Sequence, residues 1–302
     1  MTRLAQLLVA GVAVGSLYGL IALGFVVVYR ASHVFNFAHG SFLLLGAYLT
    51  YGFHQQLGLP FFPALGLAAV AAAAAGVAVE RLALRRMVGQ PPFAVIMITI
   101  GVALVMDALM VWAWGAERLT VGDPWGLTTY RLGGAGGVRV AAIDIARLLA
   151  AGLVLAAYWL FCRYSSLGVA MRATAADQEA AVASGIDVHR VFAVCWALAA
   201  AIATVAGVLL AGGARGVDPS LSAVALAAFP ALVLGGVNSP VGAIVGGLAL
   251  GVVEVLAAGY GPGWLPGALG ANVHTVVPYL VLLGVLLVRP SGMFGDRERA
   301  RL

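Results

Sequence analysis

The sequence contains no lysine. Its 17 basic residues are all arginines, and they stand against 12 acidic residues, which gives a formal net charge of +5. A chain without lysine lacks the Walker A lysine that holds ATP phosphates, and it cannot form a Schiff base with a carbonyl substrate. We therefore exclude ATP hydrolysis by the Walker A motif and lysine-dependent covalent catalysis.

Charged residues are scarce as a class. They make up 10% of the chain, whereas soluble domains carry about 25%. Apolar residues make up 63%, and a soluble fold of this length would expose larger apolar patches than monomers normally do. We therefore predict an all-α protein that crosses the lipid bilayer several times. The arginines are dispersed between hydrophobic segments, so nucleic acid is not a predicted partner.

Cysteine and metal-binding patterns are equally sparse. The two cysteines, Cys162 and Cys195, lie within apolar runs and are interpreted as packing residues rather than a disulfide framework. No group of His, Cys, Asp and Glu has metal-ligand spacing, since His33 and His39 have no carboxylate or cysteine near them in sequence. No nucleophile motif such as G-x-S-x-G is present. We predict neither enzymatic activity nor a bound metal or other cofactor.

Long apolar segments, by contrast, are abundant. A helix needs about 20 mainly apolar residues to cross a bilayer, and about eight or nine such helices are predicted, some of them broken or re-entrant. We expect them to form a single transmembrane domain over residues 1–302. The candidate segments are 5–29, 37–54, 61–79, 92–114, 146–162, 190–211, 221–235, 240–257 and 274–289.

Arginines in short loops favour the cytoplasmic side of a membrane. Three groups of arginines are predicted there, which places the loop at about 163–190 and the C-terminus in the cytoplasm. The loop at about 115–145 is then external, and the span count places the N-terminus outside, although Arg3 and Arg30 cancel as indicators. The three groups are Arg81, Arg85 and Arg86; Arg163, Arg172 and Arg190; and Arg297, Arg299 and Arg301.

Two polar, glycine-containing breaks interrupt the apolar pattern, at Asn36–Gly40 and at Gly235–Pro240. In transporters, helices broken at membrane depth mark the substrate path, because protein or a water-filled cavity must satisfy the freed backbone groups. Both breaks are equally consistent with ordinary turns at the membrane interface. With Asn36 beside it, His39 would then only cap a half-helix that starts at Gly40 or Ser41. The candidate path residues in the breaks are Asn36, His39, Gly40, Gly235, Gly236 and Asn238.

Two carboxylates lie within predicted spans, Asp107 in the fourth and Glu254 in the eighth. An ionised carboxylate at the bilayer centre costs about 2.5–3.5 kcal/mol on insertion scales, so such residues usually face the bundle interior or an aqueous cavity. Either they polarise a solute path, or each is protonated or hydrogen-bonded to a neighbouring helix. Glu254 could also lie near the outer interface.

Glycines recur four residues apart at Gly11–Gly15, Gly242–Gly246 and Gly247–Gly251. This spacing lets helix backbones approach closely. It predicts tight packing, either within the bundle or against a partner subunit.

The loop at about 163–190 is too polar to cross the membrane, and it predicts a short helix of its own. Asp177 and Glu179 would lie at the start of this helix, where acidic side chains interact favourably with the helix dipole. Gly185 would end it. A loop of this length is more often functional than a passive connection.

Within this loop, Glu179-Ala180-Ala181-x-x-x-Gly185 resembles the opening of the EAA loop of ABC importer membrane subunits, although the later Ile-x-Leu-Pro part of that motif is absent. The resemblance implies that the loop helix docks into a groove on an ATPase subunit. The residues it assigns to coupling are Glu179, Ala180, Ala181 and Gly185, with Arg172 in the same loop.

A wider pattern, from about residue 8 to 295, resembles the LivH-type permease subunits of branched-chain amino-acid ABC importers. The most specific motif of this pattern is Asn-Phe-Ala-His-Gly. The matching motifs are Gly15-Ser-Leu-Tyr-Gly-Leu-Ile-Ala-Leu-Gly-Phe25, Asn36-Phe-Ala-His-Gly40, Leu167-Gly168 with Arg172-Ala173 and Gly185-Ile186, Val233-Leu-Gly-Gly-Val-Asn-Ser-Pro-Val-Gly242, and Val288-Arg-Pro-Ser-Gly-Met-Phe-Gly295.

The resemblance implies an ATP-driven importer in the bacterial cytoplasmic (inner) membrane. Its partners would be a second, LivM-type permease, two ABC ATPase subunits, and a periplasmic or lipid-anchored substrate-binding protein. A small polar solute would pass between the two permeases. Relatives of such permeases also import urea, short amides or aromatic acids, so the resemblance leaves the solute open.

The main alternative is an ion-coupled secondary transporter or channel for a small solute, which would work without partner proteins. Such proteins more often carry several charges within the membrane, and only two candidates are present here. A membrane-embedded enzyme is a third class, disfavoured by the missing motifs.

Overall fold

A computed structural model describes residues 2–87, 90–132, 138–213, 215–264, 268–289 and 292–295. These residues form two compact units. The first combines the chain up to Val26 with Trp125–Ala151 and the chain from Ala227 onward, and the second combines Val27–Pro124 with Gly152–Leu226. The single domain expected for residues 1–302 stays a prediction.

Helices make up most of the described residues, and the predicted all-α membrane helix bundle is confirmed. In chain order the helices are α1 (Thr2–Ser32), α2 (His39–Tyr51), α3 (Phe61–Val79), α4 (Pro92–Trp114), α5 (Ala142–Tyr164), α6 (Ser166–Ala176), α7 (Gln178–Ala183), α8 (Val188–Ala211), α9 (Val224–Ala227), α10 (Phe229–Gly235), α11 (Pro240–Trp264) and α12 (Ala268–Val288). Short π-helical turns follow α2 at Gly52–Gln56 and α3 at Glu80–Leu84, and 3-10 turns lie at Arg85–Met87 and Pro219–Leu221.

Six described helices are long and apolar enough to cross a membrane: Arg3–Ser32, Phe61–Met87, Phe93–Trp114, Ala142–Tyr164, Val188–Ala211 and Pro240–Gly261. Shorter apolar helices lie at Pro219–Gly235 and Val276–Val288. Each of the nine predicted segments therefore contains a helix. The helices α1 and α8 are largely buried, whereas α4 and α5 expose most of their length. Exposed apolar helices of this kind are stable in lipid and not in water.

The loop predicted at 115–145 is partly ordered. In the first unit, β1 (Thr129–Leu132) pairs antiparallel with β2 (Val138–Ala141), and α5 begins at Ala142, four residues earlier than predicted. The hairpin was not predicted from the sequence, because strands of four residues leave only a weak pattern.

In the second unit, the same loop is tied to the segment after α8. Leu119 pairs with Val217, and the Nε atom of Arg118 lies 3.4 Å from the carboxylate of Asp218. The hydroxyl of Ser220 donates a hydrogen bond to that carboxylate and, with Arg118, lowers the pKa of Asp218 below its usual value. This carboxylate also caps the 3-10 turn that follows it.

Glycines allow α1 and α11 to cross in direct backbone contact within the first unit. A Cβ atom on Gly15 would lie 2.7 Å from the Cα atom of Leu248 and 2.8 Å from the carbonyl oxygen of Gly247, and a Cβ atom on Gly251 would overlap the backbone of Gly15. The Gly11–Gly15 and Gly247–Gly251 motifs are therefore used inside this chain rather than kept for a partner.

In the second unit, α2, α3 and α8 pack against one another. Gly46 and Gly207 bring the backbones of α2 and α8 together, because a Cβ atom on either would overlap the facing helix at Thr204 or Leu43. Tyr48 stacks on Trp114 with ring centroids 5.3 Å apart. A helix of 13 residues is short for a full crossing, and α2 is almost entirely buried.

The close crossing of α1 and α11 leads to a first prediction. Replacing Gly251 with valine should destabilise the protein by about 1–3 kcal/mol, because an added side chain in a filled contact forces the backbones apart. Gly284 in α12 is the matched control, since a Cβ atom there meets nothing within 4 Å. Thermal unfolding of the purified protein in detergent measures the difference. Equal losses for Gly251→Val and Gly284→Val would contradict this account of the crossing.

Candidate functional site

The first break is a buried turn between α1 and α2. The chain leaves α1 through His33, which has a φ of +56°. The carbonyl oxygen of Asn36 accepts a hydrogen bond from the backbone N–H of His39 at 3.2 Å, and its side-chain oxygen accepts one from Ala38 at 3.0 Å. The helix α2 begins at His39, slightly earlier than the predicted Gly40 or Ser41. Asn36 is therefore the side chain that shapes the turn.

The polar side chains of this turn are hidden from solvent. Asn36 is 1% exposed and His39 is 0% exposed. The side-chain Nδ2 atom of Asn36 is buried and has no hydrogen-bond partner among the described residues. A buried donor without a partner is costly, and this one lies next to a helix break.

One face of α4 lines this turn. Thr99 Oγ1 accepts a hydrogen bond from the backbone of Phe37 at 3.3 Å, and Ser41 donates one to the carbonyl oxygen of Ala103 at 3.3 Å. Asp107 follows one turn later on the same face of α4, because residues four apart stack along a helix. Its Oδ1 atom is buried without a hydrogen-bond partner among the described residues.

Ser222 connects Asp107 to the start of α2, and the sequence analysis missed it. Its hydroxyl has two acceptors within reach, Asp107 Oδ2 at 3.2 Å and the carbonyl oxygen of Pro219 at 3.1 Å, and its one proton is shared between them. A Cβ atom on Gly40 would overlap the carbonyl oxygen of Ser222, so only glycine allows this approach. In the sequence, the one clue was a serine near the start of the apolar segment at 221–235. Four of the predicted path residues therefore lie at or near the start of α2: Asn36, His39, Gly40 and Asp107.

The second break lies in the first unit and is a turn from α10 to α11. Gly236 has a φ of +100°, which favours glycine. A Cβ atom on Gly242 would overlap Gly235, and the backbone N–H groups of Met293 and Phe294 donate to Leu234 and Gly235 at 2.8 and 3.1 Å. The close approach of α10 to α11 therefore accounts for Gly235 and Gly242, and packing of the 292–295 segment accounts for Gly236. Asn238 is half-buried in the same turn.

Glu254 faces another helix of the first unit. Its carboxylate accepts a hydrogen bond from the hydroxyl of Tyr18 on α1, and His274 on α12 lies close enough to interact with it electrostatically. Tyr18 is itself buried. These contacts correspond to the interhelical packing role that the sequence left open for this residue.

The loop at 163–190 contains two helices, α6 and α7, where the sequence predicted one. Ser165 caps α6 by accepting from the N–H of Gly168, and Asp177 caps α7 by accepting from Ala180 at 3.0 Å. Gly185 ends α7 with a φ of +81°. The predicted start and end of α7 are therefore confirmed, and α6 was missed because its Ser165 cap lacks an acidic residue in the turn after it.

The predicted coupling residues lie in or beside α7: three are within the helix, Gly185 follows it, and Arg172 lies in α6. Glu179, Ala180, Gly185 and Arg172 are exposed, whereas Ala181 is buried and turns inward. Val182 is 60% exposed.

Gln178, the first residue of α7, makes a long-range contact that the sequence did not predict. Its Nε2 atom donates to the carbonyl oxygen of Ala31 at 2.8 Å. The last carbonyl groups of a helix have no partner within it, so this side chain satisfies one at the end of α1. The loop helix is therefore tied directly to the helix that precedes the Asn36 turn.

Glu80 is a second feature that sequence reasoning missed. It is 1% exposed and forms two hydrogen bonds with Arg85, at 3.1 and 3.4 Å. The π-helical turn at Glu80–Leu84 places residues five apart next to each other, which brings this carboxylate to its arginine. Glu80 and Gln178 both line a cavity of about 210 Å³, together with Ser32, His33, Val34, Leu84, Met87, Gln90, Val95, Phe192 and Trp196.

Arginines of two predicted cytoplasmic groups meet in the second unit. Arg81, Arg85 and Arg190 line one cavity of about 510 Å³. The end of α3 and the start of α8 therefore lie at the same end of this unit. Arg297, Arg299 and Arg301 lie outside the described residues. Where the structure describes the chain, no three His, Cys, Asp or Glu side chains are placed to hold a metal ion.

A helix bundle with a buried polar turn and a capped loop outside its spans is the architecture of a polytopic membrane transport protein. The family model for the permease component of branched-chain amino acid transport systems matches residues 7–286. The chain belongs to this family and is of its LivH type.

Relatives with known assignments cover nearly the full chain. The high-affinity branched-chain amino acid permease protein BraD of Pseudomonas aeruginosa is 33% identical over 303 residues, which cover 97% of this chain and 96% of the relative. LivH of Escherichia coli K12 is 31% identical, and the match covers 95% of this chain and 94% of the relative. A probable LivH of Methanocaldococcus jannaschii is 26% identical and covers 96% and 92%.

The contact between Ser222 and Asp107 leads to a second prediction. Ser222→Ala should destabilise the protein by about 1–3 kcal/mol, because it leaves both carboxylate oxygens of Asp107 without a donor. The same replacement should cost much less when Asp107→Ala is already present, since the two residues act as a pair. Thermal unfolding of the wild type, both single variants and the double variant measures this coupling. Strictly additive effects would show that the pair does not interact.

Proposed function

We propose that this chain is one membrane-spanning permease subunit of an ATP-driven importer for branched-chain amino acids or a related small polar solute. It would form half of the translocation path and receive the motion of ATPase subunits through the loop at 163–190. The observation that carries the proposal is the hydrogen bond between Gln178 of α7 and Ala31 of α1. It connects an exposed, capped loop helix to the helix that leads into the buried Asn36 turn.

The names of the relatives support the solute class, since BraD and LivH are both named for high-affinity branched-chain amino acid transport. As a family member the chain would act with a second, LivM-type permease, two ABC ATPase subunits and a periplasmic or lipid-anchored binding protein. ATP hydrolysis would take place on the ATPase subunits, because this chain has no lysine for a Walker A motif. The chain itself would be a transport subunit and not an enzyme.

We place the protein in the bacterial cytoplasmic membrane with the 163–190 loop and the C-terminus inside and the N-terminus outside. The cavity that Arg81, Arg85 and Arg190 share supports a common side for two of the arginine groups, and clustered arginines favour the cytoplasmic side. The tied loop at 115–124 would then face the outside.

The proposed path residues differ in their structural support. Asn36, His39 and Gly40 are buried beside the helix break, and the half-buried Asp107 lies next to them through its contact with Ser222. For the remaining four, Gly235, Gly236, Asn238 and Glu254, turn formation or interhelical hydrogen bonding already explains the position. We propose that the first four contact the solute most directly.

An ion-coupled transporter or channel receives less support. Both intramembrane carboxylates have a hydrogen-bonded neighbour, Ser222 for Asp107 and Tyr18 for Glu254. Neither arrangement supplies the several charges that ion-coupled proteins usually carry within the membrane.

Uptake of labelled leucine into proteoliposomes that hold the complete importer tests the proposal. Uptake should require ATP and the binding protein, and Gly185→Val should reduce the leucine moved per ATP hydrolysed by roughly tenfold, because valine resists the positive φ that ends α7. Gly185→Asn is the control, since asparagine tolerates this conformation. A Cβ atom there meets nothing within 4 Å, so bulk is not the cause.

Two results would count against the proposal, the first against the importer and the second against the role of the loop. Leucine uptake that follows an ion gradient without ATP would favour the secondary transporter. Normal coupling in Gly185→Val would remove the loop from the mechanism while leaving the family assignment unchanged.

The Gln178 contact leads to a further prediction. Gln178→Met keeps the side-chain size but removes the donor, and it should lower the leucine moved per ATP by roughly threefold, which is the effect of losing one hydrogen bond. Gln178→Lys should restore much of the coupling, because an ammonium group can donate to the Ala31 carbonyl oxygen. Gln90→Met is the matched control, since Gln90 lines the same cavity and shows no side-chain hydrogen bond to a described residue.

A loss of the same size in Gln90→Met would point to the cavity rather than to the hydrogen bond. Failure of Gln178→Lys to recover any coupling would have the same meaning. Either result would leave the proposal of ATP-dependent uptake unchanged.

A further inference from the structure

The cavity shared by α3 and α8 has a charged rim and an apolar floor. It measures about 510 Å³, and its lining comprises Val77, Arg81, Arg85, Asp187, His189, Arg190, Ala193, Val194 and Ala197. The charged residues lie at the end of one membrane-crossing helix and the start of another, Phe61–Met87 and Val188–Ala211. The cavity is therefore at a boundary between membrane and water.

The lining residues form two stripes that run from charged to apolar. Val77 on α3 and Arg81 on the π-helical turn after it are four residues apart, and Arg85 begins the 3-10 turn that follows. On α8, Arg190, Val194 and Ala197 recur at spacings of four and three. Side chains with these spacings share a helix face. Arg81 and Arg190 therefore each stand at the outer end of an apolar strip that is directed into the membrane.

The charge of the rim is positive. Three arginines face one carboxylate in the lining, that of Asp187, which accepts from the backbone N–H of Arg190 at 3.1 Å. Arg85 is neutralised by Glu80. Neither Arg81 nor Arg190 forms a salt bridge within the part of the chain that the structure describes. Both side chains are exposed, so their charges are available to an anion.

From this geometry we infer that the cavity binds an anionic phospholipid. The phosphate of the lipid lies between Arg81 and Arg190, with His189 as an additional donor. One acyl chain of the lipid lies along Val77, Val194 and Ala197. Arginine is suited to phosphate because its guanidinium group can donate two parallel hydrogen bonds. Basic pockets between transmembrane helices commonly hold anionic headgroups. The apolar floor favours a lipid over free phosphate, because inorganic phosphate has no apolar group that could pack against it.

Native mass spectrometry of the purified full chain tests this site. The protein is equilibrated with equal amounts of phosphatidylglycerol and phosphatidylcholine that carry the same acyl chains. We expect a preference for phosphatidylglycerol that falls by roughly fivefold for Arg81→Ala and again for Arg190→Ala. Arg86→Ala is the matched control, because Arg86 is an exposed arginine next to Arg85 that does not line the cavity.

A second variant tests the apolar part without changing the charge. Ala197→Phe would fill the floor of the cavity and should reduce the binding of both lipids, while Arg86→Ala should leave the lipid preference unchanged. Proper folding of each variant is checked by its thermal unfolding in detergent.

Three outcomes would overturn the inference. An equal loss of preference in Arg86→Ala would mean that diffuse surface charge attracts the lipid. Displacement of phosphatidylglycerol by millimolar inorganic phosphate would identify a free-anion site. Loss of the bound lipid when the ATPase subunits assemble on the chain would assign the surface to a protein partner.

Discussion

Everything in this structure depends on one constraint: a backbone polar group that enters the membrane must find its hydrogen-bond partner within the protein. Long helices meet it by themselves, and α1, α4 and α11 are examples. The buried turn between α1 and α2 has no such helical hydrogen bonds. There the side chains of Asn36 and Thr99 accept the hydrogen bonds of the Ala38 and Phe37 N–H groups, so the break is stable because neighbouring side chains complete it.

A second constraint, which is steric, explains the positions of the glycines at the helix contacts. Backbone can approach backbone only where no Cβ atom intervenes, as between Gly15 and Gly251 or between Gly40 and Ser222. The first contact holds two long helices together. The second holds a short buried helix against a polar segment that carries the partner of Asp107. Glycine serves packing in one case and the candidate path in the other.

Much of this could be predicted from residues close together in sequence. The helical segments follow from apolar length, the start of α7 from Asp177, and its end from Gly185. The helix α6 and the hairpin at 129–141 were missed, because a single serine cap and two four-residue strands leave weak patterns. The beginning of α5 was predicted too late, because Asp144 interrupts the apolar residues at Ala142–Ile145.

The sequence by itself determined that this chain lives in lipid, that it lacks the lysine for ATP hydrolysis, and that its pattern is that of a LivH-type permease. These properties follow from composition and local order, which need no distant contact. Only the tertiary structure decided that Ser222 meets Asp107, that Gln178 reaches Ala31, and that Glu80 is neutralised by Arg85. The first two contacts join residues 115 and 147 positions apart, and the third requires a π-helical turn, so their energies arise only when the helices are packed.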